Sequence, residues 1–320
     1  MNKELLITRA IAILGRAGFI ISERCDIRPR SFDIAARREN LLLLIKVISN
    51  IDGLNEETTR EMQFLSKYLN GYPIVIGEKT RDHSLETGVV YFRYGVPATD
   101  INTVHDFLIE GLPPLVYAEH GGLYVNIEGN ILKEERIRKN ISLGALASLL
   151  GVSRRTISKY EEGEMAASVD VALRLEEILG MGFTVAVNLF EKLEPSTQKK
   201  ANVAKEFSNI FSMLKNMGFE VLPISQAPFD AVSQSGSRRD ETTILTGVGE
   251  CTRTMVKKAH LMSSISEVAH TQSLLIVHGA SKTKNIERTV LMEDKELKKF
   301  DDKDDFIDLL QERGRRIEVS

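Results

Sequence analysis

The residues with the strongest chemical signature form a basic segment near the middle of the chain, LGVSRRTISKYE, at residues 150–161. An arginine can hold O6 and N7 of guanine through a two-pronged hydrogen bond, and a threonine can offer its methyl group to thymine or its hydroxyl to a base or phosphate. The spacing predicts that one helix presents five side chains to double-stranded DNA: Arg154, Arg155, Thr156, Ser158 and Lys159.

Four helices must position this segment, because apolar residues recur at helical spacing from residue 130 to about residue 180. The second and third helices meet at a bend, where an alanine lets two helix backbones approach, a glycine takes the left-handed turn and a valine fills the corner. Ser153 then caps the third helix, and an isoleucine faces inward from it. The predicted core residues of this helix-turn-helix are Ala147, Gly151, Val152 and Ile157.

This window resembles the Cro/C1 (XRE-like) helix-turn-helix family. The resemblance implies that the third helix lies in the major groove with its amino-terminal residues on base edges. The family often carries a glutamine early in the second helix, where this chain has Leu143 and Gly144. A proline that commonly follows the third helix is also missing from residues 165–170. Neither departure breaks the fold, but the first leaves the usual second-helix contact open.

Charge restricts how the chain could meet DNA. The whole sequence of 320 residues has a formal net charge of −3, which argues against coating nucleic acid without regard to sequence. Between residues 130 and 162, however, seven basic and four acidic residues leave a local charge of +3. We therefore expect a local, sequence-specific contact.

Turn-forming and polar stretches near residues 111–114 and 194–200 divide the chain into three segments. The predicted domains are an α/β domain at 1–114, a helix-turn-helix domain with flanking strands at 115–194, and a further α/β domain at 195–320. The fold class is therefore multidomain, with an all-α centre between two α/β domains.

The outer two segments resemble each other. LGRAGF at residues 14–19 matches LKNMGF at 214–219, and a Phe-Asp pair follows in both, at Asp33 and Asp230. Each copy predicts the order helix, strand, strand, helix, strand, helix, with strands at 41–47 and 73–77 in the first copy and at 243–248 and 274–279 in the second. The C-terminal domain is thus predicted to duplicate the first. The alternative is that two unrelated α/β units share these short sequence matches by coincidence.

The first segment also resembles the PD-(D/E)XK nucleases, in which an aspartate and a strand with an acid and a lysine in alternation hold a divalent metal. Here Asp33 and Lys46 are present, but Leu44 stands where the second acid should be. In the second copy Asp230 remains, while the corresponding strand offers Leu245 and Gly247. We predict no catalysis and no bound metal, with Asp33 and Lys46 kept as a polar pair in the scaffold; weak metal binding and true cleavage are the alternatives.

Alternating apolar residues predict strands at 121–129 and 182–190, on either side of the helices. These strands could pair with each other or across a dimer. Because one recognition helix reads only a few base pairs, a homodimer on a palindromic site is predicted.

The cysteines and the absence of targeting or phosphate-binding motifs restrict the class of protein that the sequence could encode. Cys25 and Cys251 are far apart and form no CxxC or Cys/His cluster, so both are expected to be reduced and packed. No segment resembles a signal peptide or a membrane span, and no phosphate-binding loop is present, so we expect a cytoplasmic protein without a cofactor.

The arrangement along the whole chain is similar to that of the archaeal HTH-type transcriptional regulators. The leading hypothesis is a sequence-specific, non-enzymatic transcriptional regulator, whose effector is unknown. The alternatives are a DNA-targeted nuclease of PD-(D/E)XK type and an antitoxin-like module whose outer domains hold another protein.

Overall fold

The structure is a computed structural model that describes residues 2–191, 205–236, 242–250, 252–279 and 283–315. The chain divides into two compact units. The first unit comprises Met1–Ile13, Ile48–Gly53 and Val75–Glu191, and the second comprises Leu14–Val47, Leu54–Ile74 and Lys192–Ser320. These units cut across the three predicted segments. The predicted polar joint at 194–200 lies outside the described residues.

The chain begins with these elements: α1 (Lys3–Arg16), β1 (Ile20–Ile21), β2 (Ile34–Arg38), β3 (Leu41–Val47), a 3-10 turn (Ile51–Gly53), α2 (Glu56–Tyr68), β4 (Tyr72–Gly77), β5 (Val89–Arg93), β6 (Val96–Asp100) and α3 (Ile101–Leu108). The predicted strands at 41–47 and 73–77 are confirmed as β3 and β4. The predicted order was wrong in omitting β2 and the β5–β6 hairpin. The hairpin turns at Tyr94 and Gly95, both with positive φ, and a tyrosine is not a typical residue for the first of these positions.

The middle of the chain continues with β7 (Val116–Glu119), β8 (Gly122–Ile127), α4 (Gly129–Arg138), α5 (Leu143–Leu150), α6 (Arg154–Glu161), β9 (Ala167–Ser168), α7 (Val169–Leu179) and β10 (Thr184–Val185). In the first unit, β4 pairs with β6, β6 with β5, β5 with β7 and β7 with β8. Both β9 and β10 pair with β8. The four predicted helices thus lie between paired strands.

The pairing of β10 with β8 confirms that the flanking strands can pair within one chain. The predicted strand at 182–190 was nevertheless too long, because only Thr184 and Val185 pair. Beyond them the N–H of Val187 donates to the carbonyl of Pro114, and Val187 and Leu189 are buried. The apolar alternation here therefore reflects a packed loop rather than an extended strand.

The described C-terminal residues form α8 (Lys205–Asn216), β11 (Phe219–Pro223), β12 (Ala231–Ser235), β13 (Thr243–Glu250), α9 (Arg253–Ala269), β14 (Gln272–His278), β15 (Asn285–Ile286), β16 (Thr289–Glu293), α10 (Asp294–Leu297) and α11 (Lys303–Arg315). The sheet order is β11-β12-β13-β14-β16-β15. The predicted strands at 243–248 and 274–279 correspond to β13 and β14.

Strand pairings in this sheet match those near the amino terminus. β11, β12 and β13 form an antiparallel set, as do β1, β2 and β3. β14 runs parallel to β16, which pairs antiparallel with β15; β4, β6 and β5 are related in the same way. Gly18 and Gly218, which follow α1 and α8, both have positive φ.

Separate apolar cores hold the two units. In the first unit, α4 to α7 close over a core that includes Leu132, Leu146, Leu150 and Leu175. In the second unit, α2 and α9 line one core and α8 and α11 line another. Among the residues that the structure describes, every helix is too short or too polar to cross a membrane.

Candidate nucleic-acid interface

The third helix of the helix-turn-helix, α6, separates an outer polar face from an inner apolar one. The hydroxyl of Ser153 accepts a hydrogen bond from the N–H of Thr156 at 3.0 Å, which caps the helix at its first turn. Ile157 and Tyr160 are 0% and 3% exposed and anchor the inner face. The five side chains predicted to face DNA are exposed or partly exposed: Arg154, Arg155, Thr156, Ser158 and Lys159.

Two of the five have hydroxyls with partners inside the protein. The Thr156 hydroxyl lies 2.8 Å from the Ser153 hydroxyl, and the Ser158 hydroxyl donates to Glu162 Oε1 at 2.7 Å. A contact from either hydroxyl to DNA would have to share or replace these bonds. The positively charged side chains of α6 are exposed or partly exposed: Arg154, Arg155 and Lys159.

The bend between α5 and α6 has the structure that the sequence predicts for its alanine, glycine and valine. Gly151 ends α5 in the left-handed conformation with φ 71° and ψ 29°, and its N–H donates to the carbonyl of Ala147. Ala147 is 4% exposed, so a small residue stands where the helices pack. Val152 is partly buried against the same core, and its N–H also donates to the Ala147 carbonyl. This turn sets the angle at which α6 leaves α5.

A buried ion pair fixes the far end of α6 to α4. Arg136 donates through Nε to Glu161 Oε1 at 2.5 Å and through Nη2 to Glu161 Oε2 at 3.0 Å. A third bond runs from Arg136 Nη1 to the carbonyl of Ile141. The hydrogen bond with Glu161 raises the pKa of the Arg136 guanidinium. In the sequence both residues count only as local charge, because nothing there connects positions on different helices.

A glycine at the start of α4 permits this close approach. An ideal Cβ on Gly129 would lie 2.5 Å from the carbonyl oxygens of Tyr160 and Glu161, which is closer than real Cβ contacts. These are backbone atoms and cannot rotate away. The predicted strand at 121–129 included Gly129, but β8 ends at Ile127 and Gly129 is the first residue of α4.

The nuclease-like elements in the second unit hold a buried polar cluster. Asp33 is 0% exposed; its Oδ1 accepts from Arg30 Nε at 2.8 Å and its Oδ2 accepts from the backbone N–H of Val47 at 2.8 Å. Lys46 Nζ donates to the carbonyl of Arg30 at 2.7 Å. Asp33 and Lys46 are thus both hydrogen-bonded to Arg30, the first through its side chain and the second through its carbonyl. The bond from Val47 to Asp33 also connects the start of β2 to the end of β3.

Leu44 lies in the apolar core and not in this polar cluster. It is 0% exposed and shares its core with Phe64 and Leu65 of α2. A divalent cation prefers several oxygen ligands. Methyl groups at this position and an Asp33 carboxylate already bonded to protein donors do not fit such an ion.

The C-terminal sheet has a similar arrangement around Asp230. Its Oδ2 accepts from the N–H of Val248 at 2.7 Å and from Lys258 Nζ at 2.6 Å. Leu245 is 0% exposed, and an ideal Cβ on Gly247 would lie 2.7 Å from Leu275 Cδ1. In the described part of the chain, no three His, Cys, Asp or Glu side chains group as metal ligands.

Cys25 is buried, and burial raises the pKa of its thiol to about 11. The thiol is therefore neutral at physiological pH and is a poor nucleophile. Cys251 lies outside the described residues.

Two family models match the chain. One, described as a PD-(D/E)XK superfamily domain, matches residues 3–114. The other, described as a helix-turn-helix, matches residues 132–185. Both resemblances found in the sequence are confirmed.

Curated relatives match over nearly the whole length. An HTH-type transcriptional regulatory protein from Methanococcoides burtonii is 53% identical over 99% of this chain and 99% of its own length. One from Halobacterium salinarum is 45% identical over 98% of both. Among solved structures, the restriction-modification controller protein C.AhdI from Aeromonas hydrophila is 32% identical, covering 17% of this chain and 80% of that one, with a TM-score of 0.16 that is too low to compare folds.

Proposed function

The chain belongs to the family of archaeal HTH-type transcriptional regulatory proteins, and we propose that it regulates transcription by binding double-stranded DNA through α6. The observation that carries the proposal is the division of α6 into two faces. Ile157 and Tyr160 are buried, while Arg154 and Arg155 project from its first turn. In the helix-turn-helix docking mode, this turn enters the major groove, where its side chains meet base edges and the neighbouring phosphates.

The rigidity of α6 supports the same proposal. The helix is held at its start by the Ser153 cap and at its end by the Arg136–Glu161 pair. A helix fixed at both ends loses little conformational freedom when it enters a groove, so more of the contact energy appears as affinity. Arg155 is our choice for the main base contact, through a bidentate bond to guanine.

A homodimer completes the proposed complex. One α6 covers only a few base pairs, and the local charge of +3 between residues 130 and 162 gives few phosphate contacts. A two-fold dimer would place two copies of α6 about 34 Å apart, one turn of the duplex, on a palindromic site.

We infer that the nuclease-like elements are non-catalytic. Both oxygens of Asp33 accept hydrogen bonds within the scaffold, and Leu44 occupies the core position where a metal-binding acid would stand. Because a domain of the PD-(D/E)XK superfamily matches residues 3–114, cleavage is the second candidate function. A plasmid-nicking assay with magnesium or manganese tests it: we expect no nicking, and metal-dependent nicking abolished by Lys46→Ala would contradict this inference.

We also infer that the C-terminal α/β part duplicates the first. The two sets of strands share their pairings, and in each set the aspartate accepts from a backbone N–H near the end of the next long strand, Asp33 from Val47 and Asp230 from Val248. An experimental structure in which the two aspartates superpose together with their strands is the expected result, and strand orders that differ would contradict the inference.

Reciprocal contacts within the second unit support the duplication. Arg37 on β2 donates to the carbonyls of Val268 and Ala269 at the end of α9. Gln234 on β12 donates to the carbonyl of Tyr68 at the end of α2. Each set of strands thus supplies one side chain to the last turn of the other set's helix, as in a two-fold dimer formed within one chain.

The test of DNA binding is selection in vitro. The full-length protein is incubated with a random library of duplexes, and bound duplexes are recovered and sequenced. We expect a recurrent, palindromic sequence, and Arg155→Ala should relax the preference at one base pair of each half-site. Recovery of duplexes without any common sequence would contradict sequence-specific binding.

A further inference from the structure

The guanidinium of Arg154 lies across the first turn of α5. An ideal Cβ on Gly144 would stand 2.7 Å from both Nε and Nη2 of Arg154 and 2.9 Å from its Cζ. Real Cβ atoms essentially never come so close to another heavy atom. The side chain of Arg154 therefore passes through the space that any side chain at position 144 would begin to fill.

Gly144 is an unfavourable residue for a helix, and the Arg154 side chain lies where a larger residue would begin. Glycine destabilises a helix interior relative to alanine, because its backbone loses more freedom on folding. Gly144 is the second residue of α5, so only part of this cost applies, and the rest of the helix is made of leucine, alanine and serine. No turn or positive φ requires a glycine there, and the guanidinium of Arg154 occupies the space where a Cβ at position 144 would stand.

We propose that Gly144 positions Arg154 so that Arg154 contacts a DNA phosphate and not a base edge; this rests on the proposed function. In the helix-turn-helix docking mode the first helix of the motif, here α5, crosses the sugar-phosphate backbone, while the second, α6, enters the groove. A guanidinium drawn back over α5 lies with the helix that meets the backbone. An arginine from α6 thereby supplies the side chain that the first turn of α5 lacks.

Neighbouring arginines on α6 then have different tasks. Successive residues of an α-helix are about 100° apart around its axis, so Arg155 leaves α6 in a different direction from Arg154. Phosphate contacts fix the register of a protein on the duplex, and base contacts read its sequence. Arg154 sets the position of α6, and Arg155 reads the base.

The experiment compares full-length variants on two DNA probes. One is the duplex selected in vitro by the wild type, and the other is the same duplex with its sequence scrambled. Dissociation constants are measured over a series of salt concentrations for wild type, Arg154→Ala, Arg154→Lys, Gly144→Ala and the double variant Gly144→Ala/Arg154→Ala. Arg174→Ala, which removes one exposed positive charge from α7, is the matched control for charge.

A phosphate contact predicts the following pattern. Arg154→Ala weakens binding to both probes by the same factor, roughly tenfold, and lowers the slope of log K against log salt by about one. Arg154→Lys retains most of the affinity, because a phosphate accepts a point charge. Gly144→Ala weakens binding without lowering the melting temperature, and the double variant binds no worse than Arg154→Ala alone. Arg174→Ala leaves both affinity and slope near those of the wild type.

Other outcomes overturn the inference. Wild-type binding by Gly144→Ala, additive losses in the double variant, or an Arg154→Ala protein that relaxes the preference at one base pair would each remove the positioning role. These results are distinct from failure of the proposed function, in which the wild type itself selects no duplex and both ideas fall together.

Discussion

Restoring the missing acid of the nuclease pattern should unfold the protein instead of activating it. Leu44→Glu places a carboxylate where the structure has a fully buried side chain. The surrounding core includes Phe64 and Leu65, and these supply no hydrogen-bond donors from their side chains. A carboxylate in such surroundings favours its neutral form, so its pKa rises.

The magnitude follows from two contributions. Loss of a buried leucine costs about 2 kcal/mol. Keeping the new carboxyl protonated at pH 7, against an ordinary pKa of about 4.3, costs a further ~4 kcal/mol at about 1.4 kcal/mol per unit. The sum of about 6 kcal/mol is comparable to the whole stability of a typical domain, about 5 to 15 kcal/mol. Leu44→Met, which conserves the volume, should cost less than about 1.5 kcal/mol.

The assay is urea denaturation followed by far-ultraviolet circular dichroism, since the chain contains no tryptophan. When folding raises the pKa of a carboxyl group, the protein loses stability as pH rises above the pKa that this group has in the unfolded chain. The deficit of Leu44→Glu relative to Leu44→Met should therefore be larger at pH 8 than at pH 5. A Leu44→Glu protein that is as stable as Leu44→Met at both pH values, and that nicks plasmid with magnesium, would refute this reasoning.

Three further predictions concern binding, packing and pH. Arg155→Ala should cost about 1 to 3 kcal/mol of specific binding, with folding unchanged, in a titration at fixed salt; equal affinity would remove its role. Gly129→Ala should lower unfolding stability by about 1 to 3 kcal/mol, because its methyl would meet two backbone carbonyls of α6; Gly15→Ala, with nothing within 4 Å in α1, is the control and should not destabilise. The hydrogen bond from Arg313 lowers the pKa of Glu296 below its ordinary 4.5. The stability difference between wild type and Arg313→Ala should thus stay constant above pH 4.5 and shrink as pH falls below it, in urea midpoints measured across that range; a difference independent of pH would contradict the pairing.

Assembly gives the last prediction. The proposed dimer should bind two half-sites one helical turn apart far more tightly than one, in a gel-shift series that varies their spacing. Light scattering reports the state of the free protein. A monomer at micromolar concentration that binds a single half-site as tightly as two would contradict the dimer.

The helix-turn-helix could be predicted because its determinants are local. A cap at Ser153, a left-handed glycine at Gly151 and inward-facing apolar residues act within one or two turns of helix, so their types and spacing identify the elements directly. The same locality explains why the residues placed on the outer face of α6 are exposed or partly exposed in the structure.

Contacts between distant positions could not be predicted. Arg136 and Glu161 are 25 residues apart and become partners only when α4 and α6 pack. Gly129 and Gly144 matter for the atoms that approach them, and a sequence does not show those atoms. Leu44 could be recognised as a missing acid, but its place in a core shared with the C-terminal strands depends on the packing of the second unit.

Immunoprecipitation of bound DNA across a genome tests the central claim most directly. The experiment compares an archaeal host that expresses the wild type with one that expresses Arg155→Ala, at equal protein levels. Our account predicts a recurrent motif near promoters for the wild type and loss or relaxation of that motif for the variant. Enrichment of the same sites by both proteins, or no common motif for the wild type, would contradict the claim that α6 reads DNA sequence.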